Sequence, residues 1–284
     1  MRAVLIIAIV IAVILLAFFV FAFIIMTKPG RKRDTSYFRH KMYAHRGLHG
    51  DGVPENSLTA FRLARENGYG VELDVQMSKD GILVVFHDGN LRRMCGVDKK
   101  LKECTYEELS TYRLSGTDEK IPLLDEALET LKDVDLICEI KADNGTRNYE
   151  LCEKTYDKLK AYGGKFCIES FSPFLVAWFR KNHPEIIRGQ LSENFVKTYG
   201  FTPIHLFMSE LWLNIISKPD FVAFNHKHKS IGWRITRLLY RPMWIAWTAR
   251  GDKEIESAEK HYDAVIFEKK PEADAKGERT RNGA

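Results

Sequence analysis

The chain opens with an unbroken apolar stretch. Residues 3–26 contain no charged side chain, and as an α-helix this stretch would extend for about 36 Å, at roughly 1.5 Å per residue. That length is enough to cross the hydrocarbon core of a bilayer, which is about 30 Å thick. A secretory signal peptide is the alternative, but its apolar part is normally about 7 to 15 residues and ends at a small-residue cleavage site, which is not evident before Thr27. We therefore predict an uncleaved transmembrane anchor over residues 1–27.

Basic residues follow this anchor. Four Lys and Arg side chains lie within residues 28–33, whereas Arg2 alone precedes the apolar stretch. Because positively charged flanks tend to stay on the cytoplasmic side, we expect the rest of the chain to lie in the cytoplasm, attached to the cell membrane. Residues 28–40 are predicted to be a basic juxtamembrane linker.

After residue 40 the chain alternates between strand-like and helix-like patterns. The β-like runs are residues 41–44, 71–75, 82–86, 136–141, 166–170, 186–190, 221–224, 243–247 and 264–267. Apolar positions at helical spacing lie between them, as in residues 57–64, which begin with a helix-capping Ser57, and in residues 149–162. Strands that alternate with helices predict an α/β fold with a parallel sheet.

Three segments depart from this alternation. Residues 89–121 are charged, contain a short helix candidate at residues 106–112, and are predicted to be a small insertion near the mouth of the fold. Residues 201–216 are rich in Phe, Leu and Ile, and we interpret them as a helix packed on the sheet, with a membrane-surface patch as the alternative. Residues 272–284 are polar and charged, and are predicted to be a disordered tail.

Composition narrows the classes of function. The net charge of +5 is mild, and its basic clusters after the anchor and in residues 227–241 favour contact with anionic lipid over nucleic acid, for which no aromatic-basic module is found. The five cysteines are odd in number and lack metal-ligand spacing, so we expect reduced thiols. The roughly 250 residues after the anchor suit either two average domains or one (β/α)8 barrel.

Carboxylates recur at alternate positions of two predicted strands. Glu72 and Asp74 share one face of a strand, and Glu139 and Lys141 repeat that spacing on a later one. A surface salt bridge is the alternative for each carboxylate, but an acid between apolar neighbours is costly to bury without a cation. Carboxylate oxygens suit Mg²⁺ or Ca²⁺. We predict that Glu72, Asp74 and Glu139 bind one of these ions.

Two histidines end β-like runs in the same region. Phosphodiester cleavage needs a base for the attacking oxygen and an acid for the leaving alkoxide, and the pair His45 and His87 fits that division. Each histidine by itself could equally be bonded to backbone at a strand end. Arg46 and Lys141 are the predicted phosphate contacts, and Gly47 would let the chain pass close to the phosphate.

These residues stand in an order that resembles a known family. The motifs His45-Arg46-Gly47, Glu55-Asn56-Ser57, Glu72-Leu73-Asp74 and His87-Asp88 are similar to the hallmark of glycerophosphodiester phosphodiesterases, and the resemblance covers about residues 41–271. It implies a TIM barrel with a small insertion after the second strand. It further implies that Glu55 supports the site and that Trp247 lines the alcohol side of the pocket.

The reaction implied by the resemblance is metal-dependent hydrolysis of a glycerophosphodiester to glycerol 3-phosphate and an alcohol, as part of glycerophospholipid metabolism. Direct attack by water and a route through a cyclic phosphate both stay open. The family's Trp-Thr motif is usually followed by a small or apolar residue and Asn, whereas Ala249 and Arg250 follow Trp247-Thr248 here, and the anchor is compatible with a lysophospholipase D. A sphingomyelinase D-like enzyme uses a similar barrel, and a non-catalytic membrane-bound barrel is the alternative outside the enzymes.

Overall fold

The computed structural model describes residues 2–30, 33–142 and 147–271. The predicted disordered tail at residues 272–284 and two residues of the predicted linker, 31–32, lie outside the described residues.

Helices and strands alternate along the chain. The α-helices are α1 Arg2–Thr27, α2 Leu58–Glu66, α3 Arg92–Cys95, α4 Tyr106–Leu109, α5 Leu124–Leu131, α6 Tyr149–Leu159, α7 Pro173–Asn182, α8 Phe195–Tyr199, α9 Pro203–Ser209, α10 Asn214–Ser217, α11 Ile231–Leu239 and α12 Gly251–His261. The strands are β1 Met42–His45, β2 Gly70–Met77, β3 Leu83–Val85, β4 Leu136–Ile140, β5 Phe166–Ser170, β6 Arg188–Ser192, β7 Phe221–Asn225, β8 Met243–Arg250 and β9 Ala264–Glu268. Ser57 caps α2, as predicted, because its hydroxyl accepts a hydrogen bond from the Ala60 N–H at 3.1 Å.

Eight parallel strands close into a barrel. In the described residues the strand order is β1-β9-β8-β7-β6-β5-β4-β2-β3, and β1 pairs with both β9 and β2. Strand β3 is antiparallel and forms a hairpin with β2 outside the barrel. The α/β fold and the TIM barrel with an insertion after its second strand are therefore confirmed.

Two element boundaries differ from the sequence pattern. Strand β6 is displaced by two residues from the predicted range, 186–190. The single helix predicted over residues 201–216 was wrong, because the chain forms the separate short helices α9 and α10 there. Pro203 stands in the first turn of α9, where its missing N–H is harmless, and Leu211 adopts a φ of 60°, which breaks the helical path after α9.

Apolar side chains fill the barrel at the amino ends of the strands. Tyr43, Ile137 and Phe221 are buried there, and Phe38 from a 3-10 turn of the linker packs against the same cluster. Gly70 makes room for the Tyr43 ring, because a Cβ at residue 70 would lie 2.6 Å from that ring. Packing closes the barrel interior at this end, so a ligand can enter the interior only from the carboxyl ends of the strands.

The insertion has a small core of its own. Its buried apolar residues include Leu91, Leu101 and Leu109, and they pack with Val84 of β3 and Phe86. The β2–β3 hairpin therefore holds the insertion beside the carboxyl ends of the strands.

Helix α1 is long and apolar enough to cross a membrane by length and composition. Its last turns rest on the barrel: the Phe23 and Trp212 rings are 5.4 Å apart, and the Tyr240 hydroxyl donates to the Ile24 carbonyl at 2.7 Å. The Asn214 amide donates to the Thr27 carbonyl at 2.9 Å. The side chains described from Val4 to Phe21 are exposed.

Candidate active site

Three carboxylates converge at the carboxyl ends of β2 and β4. Ligand oxygens of Glu72, Asp74 and Glu139 lie within 4.8 Å of one another, and all three residues are buried. Their positions follow from strand geometry, because residues two apart on β2 point to the same face and Asp74 stands opposite Glu139 in the parallel register. The structure thus brings the predicted ligand set together.

Cations and an amide hold part of this cluster. The Lys141 ammonium lies 2.9 Å from Glu139 Oε1 and 3.3 Å from Asp74 Oδ1. The Asn56 amide donates to Asp74 Oδ2 at 2.8 Å, and the guanidinium Nε of Arg46 lies 3.4 Å from the same oxygen. Asp74 is thereby surrounded by positive charge and donors. Among the described residues, the Glu72 carboxylate accepts one hydrogen bond, from the Arg46 backbone N–H at 3.0 Å.

Because the three carboxyl groups have different neighbours, their pKa values are shifted in different directions. Burial raises the pKa of Glu72 well above its usual value, and the neighbouring charges of Asp74 and Glu139 raise it further. Burial also raises the pKa of Glu139, against the opposing charge of Lys141. The pKa of Asp74 is lowered instead, because Lys141 and Arg46 outweigh its burial. The three carboxyl groups outnumber the two neighbouring cations, Lys141 and Arg46. This excess of potential negative charge favours a bound divalent cation.

His45 ends β1 and faces this cluster. Its Nδ1 lies 2.7 Å from Glu268 Oε1, and its Nε2 lies 3.9 Å from Glu72 Oε2. Burial lowers the pKa of His45 to about 4, against the opposing effect of the hydrogen bond that His45 donates to Glu268. The imidazole is therefore neutral at neutral pH. Because the Glu268 carboxylate can only accept, it holds the proton on Nδ1 and leaves the Nε2 lone pair facing the cluster.

His87 lies just after β3 and lines the same cavity as His45. Its Nδ1 is 2.6 Å from Asp88 Oδ1. Arg93, from helix α3 of the insertion, donates to Asp88 Oδ2 at 2.7 Å and to both Glu55 oxygens at 2.6 and 2.8 Å. The insertion therefore fixes the loop that carries His87.

Arg46 contacts both the carboxylate cluster and Glu55. Its Nη1 donates to Glu55 Oε1 at 2.7 Å. Although burial raises it, the pKa of Glu55 is held at about 2 by the hydrogen bonds and charges of Arg93 and Arg46. Gly47 follows with φ +80°, and a Cβ there would lie 2.8 Å from Ala60 of α2. The glycine is thus required by packing against α2.

A cavity of about 150 Å³ opens above the carboxylates. It is lined by His45, Arg46, Glu72, His87, Glu139, Glu169, Phe171, Leu191, Asn225, Lys227, Trp247, Thr248, Arg250 and Ile266. Trp247 from β8 packs edge to face on Phe171, with ring centroids 5.6 Å apart. Trp247 and Phe171 form the apolar wall opposite the acidic wall.

Two functional candidates were missed by the sequence reasoning. Glu268 at the end of β9 orients His45 and is itself held by two hydrogen bonds from Arg250, at 2.6 and 2.9 Å. Glu169 on β5 is buried beside Glu139, and burial raises its pKa well above the usual value. The available signal was an acidic residue ending an apolar strand run, the same pattern that identified Glu139.

A parallel barrel with two histidines, two cations and a carboxylate cluster at its carboxyl end is the arrangement expected of a TIM-barrel phosphodiesterase. Comparison with known sequences narrows the class. Residues 45–222 match the description "Glycerophosphoryl diester phosphodiesterase family". The chain belongs to this family, and the predictions of family and enzyme class are confirmed.

Relatives of known sequence agree with this assignment. A glycerophosphodiester phosphodiesterase of Bacillus altitudinis is 35% identical over 51% of this chain and 64% of its own length. A lysophospholipase D of Rattus norvegicus is 31% identical over 51% of this chain and 49% of its own length. The chain thus spans about two thirds and about half of these relatives.

Among solved structures, a phosphodiesterase of Oleispira antarctica in complex with its product sn-glycerol-3-phosphate has a TM-score of 0.67 at 24% identity. The match covers 82% of this chain and 94% of that protein. At this identity the likeness supports the barrel fold.

Proposed function

We propose that this chain hydrolyses glycerophosphodiesters to glycerol 3-phosphate and a free alcohol with the help of a divalent cation, Mg²⁺ or Ca²⁺. The observation that carries the proposal is the buried trio Glu72, Asp74 and Glu139, whose oxygens lie within 4.8 Å of one another. An all-oxygen donor set with excess negative charge suits a hard cation. When bound, the cation would neutralise charge on the phosphate in the transition state.

We assign the proton transfers to the two histidines. His45 is suited to be the general base, because its pKa is low and Glu268 keeps its Nε2 unprotonated. His87 is suited to be the acid that protonates the leaving alkoxide, since it lines the same cavity and its Nδ1 is held by the Asp88 carboxylate.

The remaining residues position the substrate. We assign phosphate binding to Arg46 and Lys141. Both side chains contact the carboxylate cluster that would hold the metal ion, so a phosphate bound to that ion would lie beside them. Glu55 supports the site by holding Arg46 and Arg93. Trp247 offers an apolar wall for the alcohol part of the diester.

The proposal includes the layout of the chain. Residues 1–27 are the anchor, 28–40 the linker, and 41–271 the catalytic barrel with its insertion at 89–121. The enzyme would act at the cell membrane, with the barrel in the cytoplasm, as the basic residues after α1 favour.

The direct test is release of glycerol 3-phosphate from glycerophosphocholine by the full-length chain in detergent, with Mg²⁺, with Ca²⁺ and with chelator. Metal-dependent release by the wild type is expected, with loss in Glu72→Gln and full activity in a matched variant of the exposed surface, Glu129→Gln on α5. Absence of release with every metal would favour the non-catalytic barrel.

A second candidate function is hydrolysis of lysophospholipids. The observation in its favour is α1, which would hold the barrel beside lipid substrates, and one relative carries the name lysophospholipase D. Choline release from lysophosphatidylcholine, compared with choline release from glycerophosphocholine, separates the two, because hydrolysis of the lysolipid gives choline and lysophosphatidic acid and no glycerol 3-phosphate. A kcat/KM at least tenfold higher for the lysolipid would make it the preferred substrate, and turnover of sphingosylphosphorylcholine instead would point to the sphingomyelinase D-like chemistry.

A further inference from the structure

A second cavity lies at the carboxyl end of α1, away from the candidate active site. It measures about 830 Å³ and lies at the amino ends of the strands, beneath the barrel. Its cationic lining residues are Lys28, Arg33, Arg180, Arg188 and Lys218. Among the described residues Asp220 is the one acidic side chain in the lining. The cavity therefore has a strong excess of positive charge.

Asp220 neutralises only part of the positive charge in this cavity. Asp220 lies 3.4 Å from Arg33 and 3.6 Å from Arg188, so both share one carboxylate. Burial lowers the pKa of Lys218, and the charges of Lys28 and Arg180 lower it further. Arg188 is only 4% exposed, and its Nε has no hydrogen-bond partner in the described structure. An anion in the cavity would satisfy these groups.

An apolar groove continues upward from this cavity. It measures about 410 Å³ and runs between Phe19, Val20, Phe23 and Ile24 of α1 and Ile231, Ile235, Leu238 and Leu239 of α11. Leu239 lines both the groove and the basic cavity. Along α1 the groove residues precede Lys28 of the cavity, and along α11 they precede Tyr240 of the cavity. The groove and the cavity therefore form one continuous path whose lining changes from apolar to basic.

The order of this path matches a phospholipid beside a membrane-spanning helix. If α1 spans the bilayer, its carboxyl end and Lys28 lie at the depth of the headgroup phosphates, because residues 4–27 make up the apolar span. The acyl chains then lie along the upper part of α1, at the level of the groove. Leu238 and Ile231 are 71% and 66% exposed, which a lipid chain would cover.

We propose that the junction of α1 and the barrel is a binding site for one phospholipid with an anionic headgroup. The basic cavity holds the phosphate and headgroup, and the groove between α1 and α11 holds an acyl chain. The bound lipid would join the anchor to the barrel and fix the orientation of the barrel on an anionic bilayer. This site is independent of the catalytic function proposed above.

The test is native mass spectrometry of the full-length chain released from nonionic detergent, titrated with phosphatidylglycerol, phosphatidylcholine or inorganic phosphate. One phosphatidylglycerol is expected to bind at least about tenfold more tightly than phosphatidylcholine. The double variant Lys28→Gln, Arg180→Gln should lose about tenfold in affinity for phosphatidylglycerol, since each cation near a headgroup contributes to binding. The matched double variant Lys158→Gln, Lys160→Gln, at the end of α6, should keep wild-type affinity.

The groove is tested by Leu238→Gln, which should weaken phosphatidylglycerol binding several-fold, while Ile82→Gln on the β2–β3 turn should not. Both are partly exposed positions, so the fold should tolerate them. The assignment would be overturned if the chain bound both phospholipids with equal affinity, or if the double variant bound phosphatidylglycerol as the wild type does. It would also be overturned if inorganic phosphate bound as tightly as the lipid, or if the chain formed a dimer that excludes lipid. Release of glycerol 3-phosphate from glycerophosphocholine should stay unchanged in the double variant. Because the binding readout needs no turnover, the lipid site and the proposed reaction can fail separately.

Discussion

The two ends of the barrel use the same alternation of side chains for opposite purposes. Along β1 the inward residues are Tyr43 and then His45, and along β4 they are Ile137 and then Glu139. At the amino end the inward groups are apolar and pack tightly, whereas two residues later they are acids and a histidine with incomplete partners. The packed end stabilises the barrel, and this permits the other end to hold groups that are electrostatically unfavourable without a ligand.

The comparison predicts a separation of effects. Changes at the carboxyl end should reduce activity strongly and leave the fold intact, and changes at the amino end should reduce stability and leave chemistry intact. Five measurements test this difference.

The largest expected effect is that of Glu72→Gln, which should reduce metal-dependent hydrolysis by at least about 10³-fold, since it removes a proposed metal ligand. The pKa of Glu72 is higher in the folded state than in the unfolded state, where it is about 4.3. Above pH 4.3, ionisation of Glu72 therefore lowers the stability of the metal-free protein. The metal-free variant should therefore have a Tm at least equal to that of the wild type. Calorimetry with and without Mg²⁺ checks this, and a metal-induced rise in Tm that survives in the variant would contradict the ligand assignment.

His45→Ala and His87→Ala should each lower kcat by at least about 10²-fold, the usual contribution of a positioned acid or base. His261→Ala, on the exposed end of α12, is the matched control and should have no effect. Steady-state kinetics on glycerophosphocholine is the measurement. A histidine variant that retains the full rate would exclude that residue from the proton transfers.

Glu268→Gln should lower kcat by about tenfold. The Glu268 carboxylate can only accept a hydrogen bond and so keeps the proton on His45 Nδ1, whereas a Gln amide can either donate or accept and fixes the tautomer less strongly. The hydrogen bond that His45 donates to Glu268 raises the pKa of His45 against the effect of burial. Its loss should therefore move the acidic limb of the pH–rate profile to lower pH. An unchanged profile together with a reduced rate would indicate a structural role only.

Glu55→Gln should reduce kcat/KM only several-fold and destabilise the fold by about 1 to 2 kcal/mol, because it weakens the charged hydrogen bonds with Arg46 and Arg93. The folded-state pKa of Glu55 is about 2, below its unfolded value of about 4.3. Its stabilisation is thus present above pH 4.3 and is lost as the pH falls toward 2. Urea titrations at pH 7 and pH 3 should show a smaller difference between variant and wild type at the lower pH.

The smallest effect on activity is expected for Asp220→Asn at the amino end. This change leaves Arg188 buried without its carboxylate partner and should destabilise the fold by about 3 kcal/mol. The kcat should stay within about twofold of wild type, and Asp252→Asn on the exposed face of α12 should change neither quantity. Urea unfolding combined with kinetics tests the prediction. A large loss of activity in the folded variant would show that the two ends are coupled.

Local pattern was sufficient for much of the fold and for the acidic trio. A spacing of two residues on a strand places Glu72 and Asp74 on one face whatever the rest of the molecule does. It was not sufficient for residues 201–216, where apolar composition indicated one helix. Pro203 and the backbone at Leu211 divide that segment into short helices, and a turn conformation of this kind leaves no periodic signal.

The sequence by itself determined the apolar span of α1, the order of strands and helices, the family motifs and the chemistry available at the mouth. Tertiary structure alone decided the partners of those groups. His45 meets Glu268 across 223 residues of chain because β9 closes the barrel against β1, and Arg93 reaches Glu55 because the insertion docks on β3. The physical reason is that periodicity fixes which way a side chain points along its own element, whereas its neighbours depend on which distant elements pack together.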